Sequence, residues 1–262
     1  MIIKFAKNNL NEWDIRSQFG DENLMSGRPK EITDKKMDWI IEKIEKDMPF
    51  TIKDTILDIG PGNGVLLKKI SNKVMKCYGI DPSKMATERL RILCNDYPNI
   101  HIIQSFSFSL NFPDGFFDKV IMNSVIHYLH NDEEVERTIS EIARVTRAGG
   151  LVYFGEVPSL GENLPSLWQY RKRIVKRIIN TLHQSTRRHS FLENIIKDDG
   201  VEIIQTREIK KLRYDPEKFM DMVNKYGLYG KVLEDVVFIH ARTGEFREDK
   251  WKNRFLYVLR RK

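Results

Sequence analysis

One run of sequence constrains this chain more than any other: Ile56-Leu-Asp-Ile-Gly-Pro-Gly-Asn-Gly64. The apolar stretch Thr55–Ile59 reads as a strand carrying Asp58, and Val65–Ser71 reads as the helix after it. Between them Gly60, Gly62 and Gly64 alternate. A strand that turns into a helix over so few residues needs positive φ, which glycine adopts without steric penalty, and bare backbone also lets a ligand approach closely. Spacing excludes two ligand classes. The dinucleotide fingerprint has its third glycine three residues after the second, and here it comes two after. A phosphate-binding P-loop needs Gly-Lys-Ser/Thr, whereas Gly64 is followed by Val65-Leu66. A bare strand–helix turn or a cradle for another ligand remains.

The flanking sequence sets the fold class. Asn8–Lys30 is polar and irregular, with Trp13, Phe19 and Arg28 spread through it. Thr33 then reads as a helix cap with Ile32 and Met37 as a hydrophobic staple. Met37, Ile40, Ile41, Ile44 and Met48 follow at helical spacing until Pro49. Residues 1–50 thus read as an N-terminal helical or lid segment, and 51–262 as the main domain. From Thr51 short apolar runs alternate with helices. Val74–Ile80, Ile100–Gln104, Phe117–Asn123 and Leu151–Glu156 read as strands, and Ser83–Asn95 as a helix. Asn131 caps another helix, with Asp132, Glu133 and Glu134 in its first turn, Arg144 and Arg147 in its last, and Gly149-Gly150 as its stop. Such alternation predicts a parallel α/β sheet. Beyond Glu156 the pattern is less regular: Leu164–Gln184 and Ser190–Lys197 read as helices, Val201–Glu208 as a strand, Pro216–Lys225 as a helix, and Arg254–Arg260 as a final strand.

A second acidic residue falls in a telling place. The strand Val74–Ile80 ends at Asp81-Pro82-Ser83, beside the glycine turn in such a sheet. A carboxylate at the carboxyl end of the neighbouring strand can accept hydrogen bonds from both hydroxyls of a ribose. Asp-Pro-Ser by itself is an ordinary helix start; in company with the glycine turn it predicts the ribose role.

Four blocks, taken in order, carry a resemblance. They are Leu57-Asp-Ile-Gly-Pro-Gly-Asn-Gly64, Tyr78-Gly-Ile-Asp-Pro-Ser83, Phe112-Pro-Asp-Gly-Phe-Phe-Asp118 leading into Val120-Ile-Met-Asn123, and Ala143-Arg-Val-Thr-Arg-Ala-Gly-Gly150. Over about residues 50–156, and more loosely over the last strand, the chain resembles class I S-adenosylmethionine-dependent methyltransferases of the small-molecule branch. The resemblance implies a Rossmann-like α/β fold: a seven-stranded, mostly parallel sheet with its last strand antiparallel and helices on both faces. It implies S-adenosyl-L-methionine as cofactor, with S-adenosyl-L-homocysteine as product. Asp58, Gly60 and Gly62 would hold the methionine moiety, Asp81 with Pro82 the ribose, and Met85 the adenine. The family often places an Asp after the third strand to meet the adenine amine; here Ser105 and Phe106 stand in that neighbourhood.

The acceptor belongs beyond the carboxyl ends of the strands. Asn123, His127 and Tyr128 follow the fourth strand there, and Tyr153 and Glu156 lie on the fifth. His127 is the candidate general base, because imidazole titrates near neutrality; a histidine that only shapes the pocket is the alternative. Glu156 is the second catalytic candidate. An Asp/Asn-Pro-Pro-aromatic motif, the mark of base-amine methylation, is missing after the fourth strand, where Asn123-Ser-Val-Ile stands. No residue pattern suggests a metal.

The formal charge of +7 concentrates in one place. Arg171, Lys172, Arg173, Lys176, Arg177, Arg187 and Arg188 lie between Asn163 and Leu192, which hold no acidic residue; without those seven the remaining Lys+Arg number 37, against 37 Asp+Glu. The segment reads as a basic helical insertion, about residues 157–190, after the fifth strand. Three readings stay open: a solvated lid over the acceptor, a site for an anionic acceptor such as a sugar phosphate or a carrier-linked substrate, and a peripheral membrane or RNA contact. Nucleic acid is the least favoured, since neither a recognition module nor an aromatic platform accompanies the charge.

A hydrophobic share of 41% with 31% charged residues fits a globular chain and excludes collagen, low-complexity disorder and a disulfide scaffold. The longest apolar runs, such as Leu151–Phe154 and Val236–Ile239, fall far short of the roughly 18 residues of a membrane span. Cys77 and Cys94 sit within a strand and a helix, without metal-ligand spacing, and the first residues lack the apolar stretch of a secretory signal. The expectation is a cytoplasmic methyltransferase acting on a small molecule, at oxygen before nitrogen. RNA- or lipid-directed methylation, and a non-catalytic S-adenosylmethionine-binding partner, stand as alternatives.

Overall fold

A computed structural model of the chain describes residues 13–14, 17, 30–159, 212–234, 237–239, 246–248 and 254–262. The first strand, β1 (Thr55–Ile59), lies inside the sheet and is buried at every position. Strands covered on both faces read as continuous apolar runs, which is why Thr-Ile-Leu-Asp-Ile stands out in the sequence. Parallel to β1 lie β2 (Lys76–Asp81) on one side and β4 (Phe117–Asn123) on the other. Outside these run β3 (Ile100–Gln104) and β5 (Thr146–Pro158), also parallel. The strand β9 (Arg254–Arg261) pairs antiparallel with β5, and β6 (Leu228–Glu234) pairs antiparallel with β9. The order is β3-β2-β1-β4-β5-β9-β6, the seven-stranded sheet with one reversed strand that the resemblance implies. Strand order reverses between β1 and β4, the place where open α/β sheets form a crevice at the carboxyl ends of their strands.

Helices cover both faces. On one, α1 (Lys30–Asp47), α2 (Val65–Ile70) and α3 (Lys84–Leu93) bury Ile44, Leu67 and Leu90 against Ile56, Cys77, Ile121 and Tyr153. On the other, α4 (Asp132–Val145) and α5 (Pro216–Lys225) bury Ile139, Ile142, Phe219 and Val223 against Leu57, Val120, Phe154 and Tyr257. Cys77 and Cys94 are buried thiols. Of the remaining strands, β7 (Val237–Ile239) and β8 (Phe246–Glu248) form a separate antiparallel pair. Among the described residues no helix is long and apolar enough to cross a membrane.

Several boundaries differ from the sequence reading. The helix α1 begins at Lys30, so Thr33 lies within its first turn and does not cap it. Arg147 belongs to β5, where it pairs with Asp118 at 2.5 Å, and Gly149-Gly150 lie inside that strand. Tertiary pairing with β4 extends β5 past residues that locally signal a stop. The strand β6 was not foreseen, because Leu-Tyr-Gly-Lys-Val-Leu-Glu lacks clean alternation; as a sheet edge it leaves Tyr229 and Val232 exposed. The predicted elements Leu164–Gln184, Ser190–Lys197 and Val201–Glu208, with the basic insertion, lie outside the described residues.

At the amino ends of the strands, Lys119 of β4 pairs with Asp54, both side chains nearly buried. Asp54 also accepts from Thr51 N at 2.5 Å. Removing one partner of a buried pair costs about 3–5 kcal/mol, far more than replacing both. Lys119→Ala should therefore lower stability by about that amount in urea unfolding, and Lys119→Met combined with Asp54→Asn should recover most of it. A loss below about 1 kcal/mol in Lys119→Ala would show that the pair does not secure this end of the sheet.

Candidate functional site

The crevice is built from β1 outward. Asp58, one residue before the end of β1, is 2% exposed, and its Oδ2 has no hydrogen-bond partner among the described residues. Burial pushes its carboxyl pKa up to about 7. Directly above it the chain turns through Gly60 at φ 70 and Gly62 at φ 59, where a side chain would be strained. Space is also lacking at Gly60, since a Cβ there would lie 2.5 Å from Val125 Cγ2. Gly60 N donates to Ile80 O at 2.9 Å, tying the turn to the end of β2.

Asp81 ends β2, and its Oδ1 accepts from Ser83 N at 2.9 Å. Burial raises its pKa to about 6, with the Asp14 carboxylate adding to the rise. Ser83, not Asp81, caps α3, accepting from Ala86 N at 3.0 Å. Pro82 O receives Gln104 Nε2 at 3.1 Å, and Met85 is half-buried in the first turn of α3. Ser105 N donates to Asp81 O at 3.1 Å, so the residue after β3 is fixed beside the carboxylate. The Ser105 hydroxyl donates to Ser109 O at 3.0 Å, leaving its lone pairs as acceptors. Phe106 is 46% exposed and stacks on Phe108, ring centroids 5.1 Å apart.

The other side of the crevice is formed by the ends of β4 and β5. Asn123 ends β4; its Oδ1 is buried and has no hydrogen-bond partner among the described residues. Gly155 of β5 makes room for it, since a Cβ there would sit 2.1 Å from that oxygen. His127 is 3% exposed, in the short 3-10 turn Ile126–Tyr128, with its ring 4.3 Å from that of Tyr128. Glu156 is 3% exposed, and its Oε2 accepts from Arg254 Nη1 at 3.1 Å. Ser124 and Glu156 both adopt positive φ, 61 and 52, a strain of order 1–3 kcal/mol for each non-glycine residue.

The sequence-predicted residues thus divide in two. Asp58, Gly60, Gly62, Asp81, Pro82, Met85, Ser105 and Phe106 gather around the ends of β1, β2 and β3, while Asn123, His127 and Glu156 lie across the crevice on β4 and β5. Sequence reasoning did not foresee that Trp13, Asp14 and Arg254 meet these strand ends. Asp14 Oδ1 accepts from Ser83 Oγ at 2.5 Å and Met85 N at 3.4 Å, and Trp13 meets Tyr128 edge-on at 5.3 Å. Those contacts join positions some seventy or more residues apart, which no local pattern signals. Among the described residues no group of three or more His, Cys, Asp and Glu could hold a metal.

Residues 57–154 match a family of methyltransferase domains. The match covers 98 of the 262 residues, from β1 to β5, and makes that part of the chain similar to methyltransferase domains. A probable ribosomal RNA small subunit methyltransferase A from Thermococcus gammatolerans is 36% identical over 86 residues, 32% of this chain and 29% of that protein. The chain spans less than a third of the first curated relatives it matches, with shares of 3%, 1% and 29%. Among solved structures, the N-methyltransferase NodS from Bradyrhizobium japonicum, in complex with S-adenosyl-L-homocysteine, aligns with a TM-score of 0.61 at 10% identity, covering 97% of this chain and 98% of that one. A methyltransferase in complex with the Haloferax volcanii activator Trm112 aligns at 0.59 and 19% identity, covering 95% and 97%. At these identities the likeness is one of fold.

The residues at these strand ends fit S-adenosylmethionine on their own chemistry. An orphaned buried carboxylate, a turn without side chains and a second desolvated carboxylate suit an ammonium group and a ribose diol better than a phosphate.

The Asp58 carboxyl, near 7 when folded, lies above its ordinary 3.8. The folded state then holds a proton the unfolded chain lacks, so this group's stabilisation is present below about pH 4 and lost as pH rises through 7. Asp58→Asn should gain on wild type between pH 4 and pH 8 by at least about 1 kcal/mol in urea unfolding of the free protein. Identical pH profiles for the two proteins would contradict the burial of an ionisable group here.

Proposed function

We propose that this chain transfers the methyl group of S-adenosylmethionine to a small-molecule acceptor, at an oxygen, in the crevice at the carboxyl ends of β1, β2 and β4. The observation that carries the reading is the unpaired Asp58 carboxylate buried beneath the glycine turn. When bound, the cofactor supplies a methyl carbon activated by its sulfonium. Asp58 and the backbone at Gly60 and Gly62 bind its amino-acid end. Asp81, with Pro82 fixing the chain behind it, accepts from the ribose hydroxyls. Met85, Phe106 and the Ser105 hydroxyl meet the adenine, the last in place of the family's usual acidic residue. Asn123 lines the crevice between cofactor and acceptor.

On the acceptor side, His127 takes the proton that the nucleophile loses. A hydroxyl must shed its proton as it attacks, whereas a neutral amine can attack first, so a buried imidazole beside the crevice favours oxygen. Much of the remaining acceleration is positioning: a nucleophile held in line with the transferred carbon gains what solution chemistry loses to disorder.

Asp81→Ala should weaken S-adenosylhomocysteine binding about 10-fold or more in calorimetry, from lost charge-assisted hydrogen bonds. Unchanged affinity would remove Asp81 from the ribose. His127→Ala should leave that affinity in place and slow methyl transfer by about 10²-fold or more. The assay uses labelled S-adenosylmethionine with a cell metabolite extract, and full activity in the variant would return His127 to a packing role.

A further inference from the structure

The strand ladder brings Arg254 to the acceptor side. Arg254 opens β9 opposite Pro158, and Phe255 pairs with Val157, beyond the register shift that follows Phe154. Inside that irregularity Glu156 adopts its left-handed backbone. One strand over, Ser124 does the same, and its N–H donates to Gly155 O at 2.9 Å. Glycine would meet this local geometry without strain, so two other residues there mark a place where side chains are needed. The 3-10 turn that carries His127 packs against β5.

At Glu156 the needed side chain is a carboxylate, nearly buried, with Arg254 Nη1 at 3.1 Å. The arginine is not buried with it: its side chain is 43% exposed. A guanidinium carries five N–H donors in a rigid planar fork. One is given to Glu156, and the others have no partner among the described residues. The result is a cation fixed in place from behind, with an open edge matched to paired oxygens.

We propose that Arg254, positioned by Glu156, binds an anionic group of the methyl acceptor, a carboxylate or a phosphate. The inference rests on the methyl-transfer reading above and narrows its substrate class. It also changes the role expected of Glu156, whose carboxylate orients the guanidinium and does not act as a base. Anchoring at Arg254 confines the acceptor to the β4–β5 end of the crevice, the end that holds His127.

The test is a side-chain NMR titration of protein labelled with ¹⁵N-arginine, with S-adenosylhomocysteine present. The Nε–H signal missing in Arg254→Lys identifies the residue; Arg254→Gln serves the same purpose should the first variant fold poorly. Sodium phosphate and sodium acetate are added in parallel, against sodium chloride at matched ionic strength. A saturable shift of that signal, reached at a tenth or less of the chloride concentration, is expected, and the more effective anion names the acceptor group. A signal that follows the chloride control in both titrations overturns the proposal. Calorimetry keeps the two claims apart. S-adenosylhomocysteine bound by wild type without any anion response overturns the acceptor site alone. If S-adenosylhomocysteine does not bind, the cofactor reading fails, and the anion titration of the free protein still decides the role of Arg254.

Discussion

A carboxylate buried at the end of a strand covered on both faces is the constraint on which this site depends. Asp58 is shut off from water, because β1 lies inside the sheet between β2 and β4 with helices above and below. Nor does its Oδ2 reach a donor among the described residues. An unpaired buried charge is among the least favourable things a fold can hold, and it is retained where a ligand completes it. The neighbouring features follow from the same geometry. The turn above Asp58 has to leave room, which Gly60 and Gly62 provide by lacking side chains. The register of β2 on β1, Ile59 opposite Ile80, then sets Asp81 beside that turn, and the Ser105 N–H to Asp81 O bond carries the arrangement on to β3.

The gathering of Asp58, Asp81 and Ser105 at neighbouring strand ends was legible in the sequence because its parts are local. Each of Asp58, Asp81 and Ser105 sits at the carboxyl end of a strand whose apolar run is plain, so order along the chain gives order in space. The sheet was legible for the same reason, up to β5. What escaped depends on distant parts of the chain meeting. Thr33 has a cap's chemistry, yet the helix starts earlier, at Lys30. Gly149-Gly150 has the chemistry of a helix stop, yet β4 draws that stretch into β5. The strand β6 is held by its pairing with β9, and nothing in its own pattern requires it. Asp14 and Arg254 act on partners 69 and 98 residues away.

The two halves of the crevice differ in kind. On the β1–β3 side stand carboxylates and bare backbone, which suit the ammonium and ribose hydroxyls of the proposed cofactor. On the β4–β5 side stand a buried histidine, a strained backbone and an arginine held by Glu156. The net charge of +7 concentrates in the basic run between Asn163 and Leu192, whose role three readings share. Arg254 supplies a cation at the sheet itself, built into the fold through Glu156 and the irregular end of β5.

The most direct test of this account is a ¹³C NMR pH titration of the aspartate side-chain carboxyls, with and without S-adenosylhomocysteine. In the free protein Asp58 should titrate at about 7 and Asp81 at about 6. Both should move down when the ligand is bound, because an ammonium group and ribose hydroxyls favour the ionised forms. Titration of both near the ordinary 3.8 in the free protein, or no movement on adding the ligand, would contradict the claim that these two carboxylates form the cofactor site.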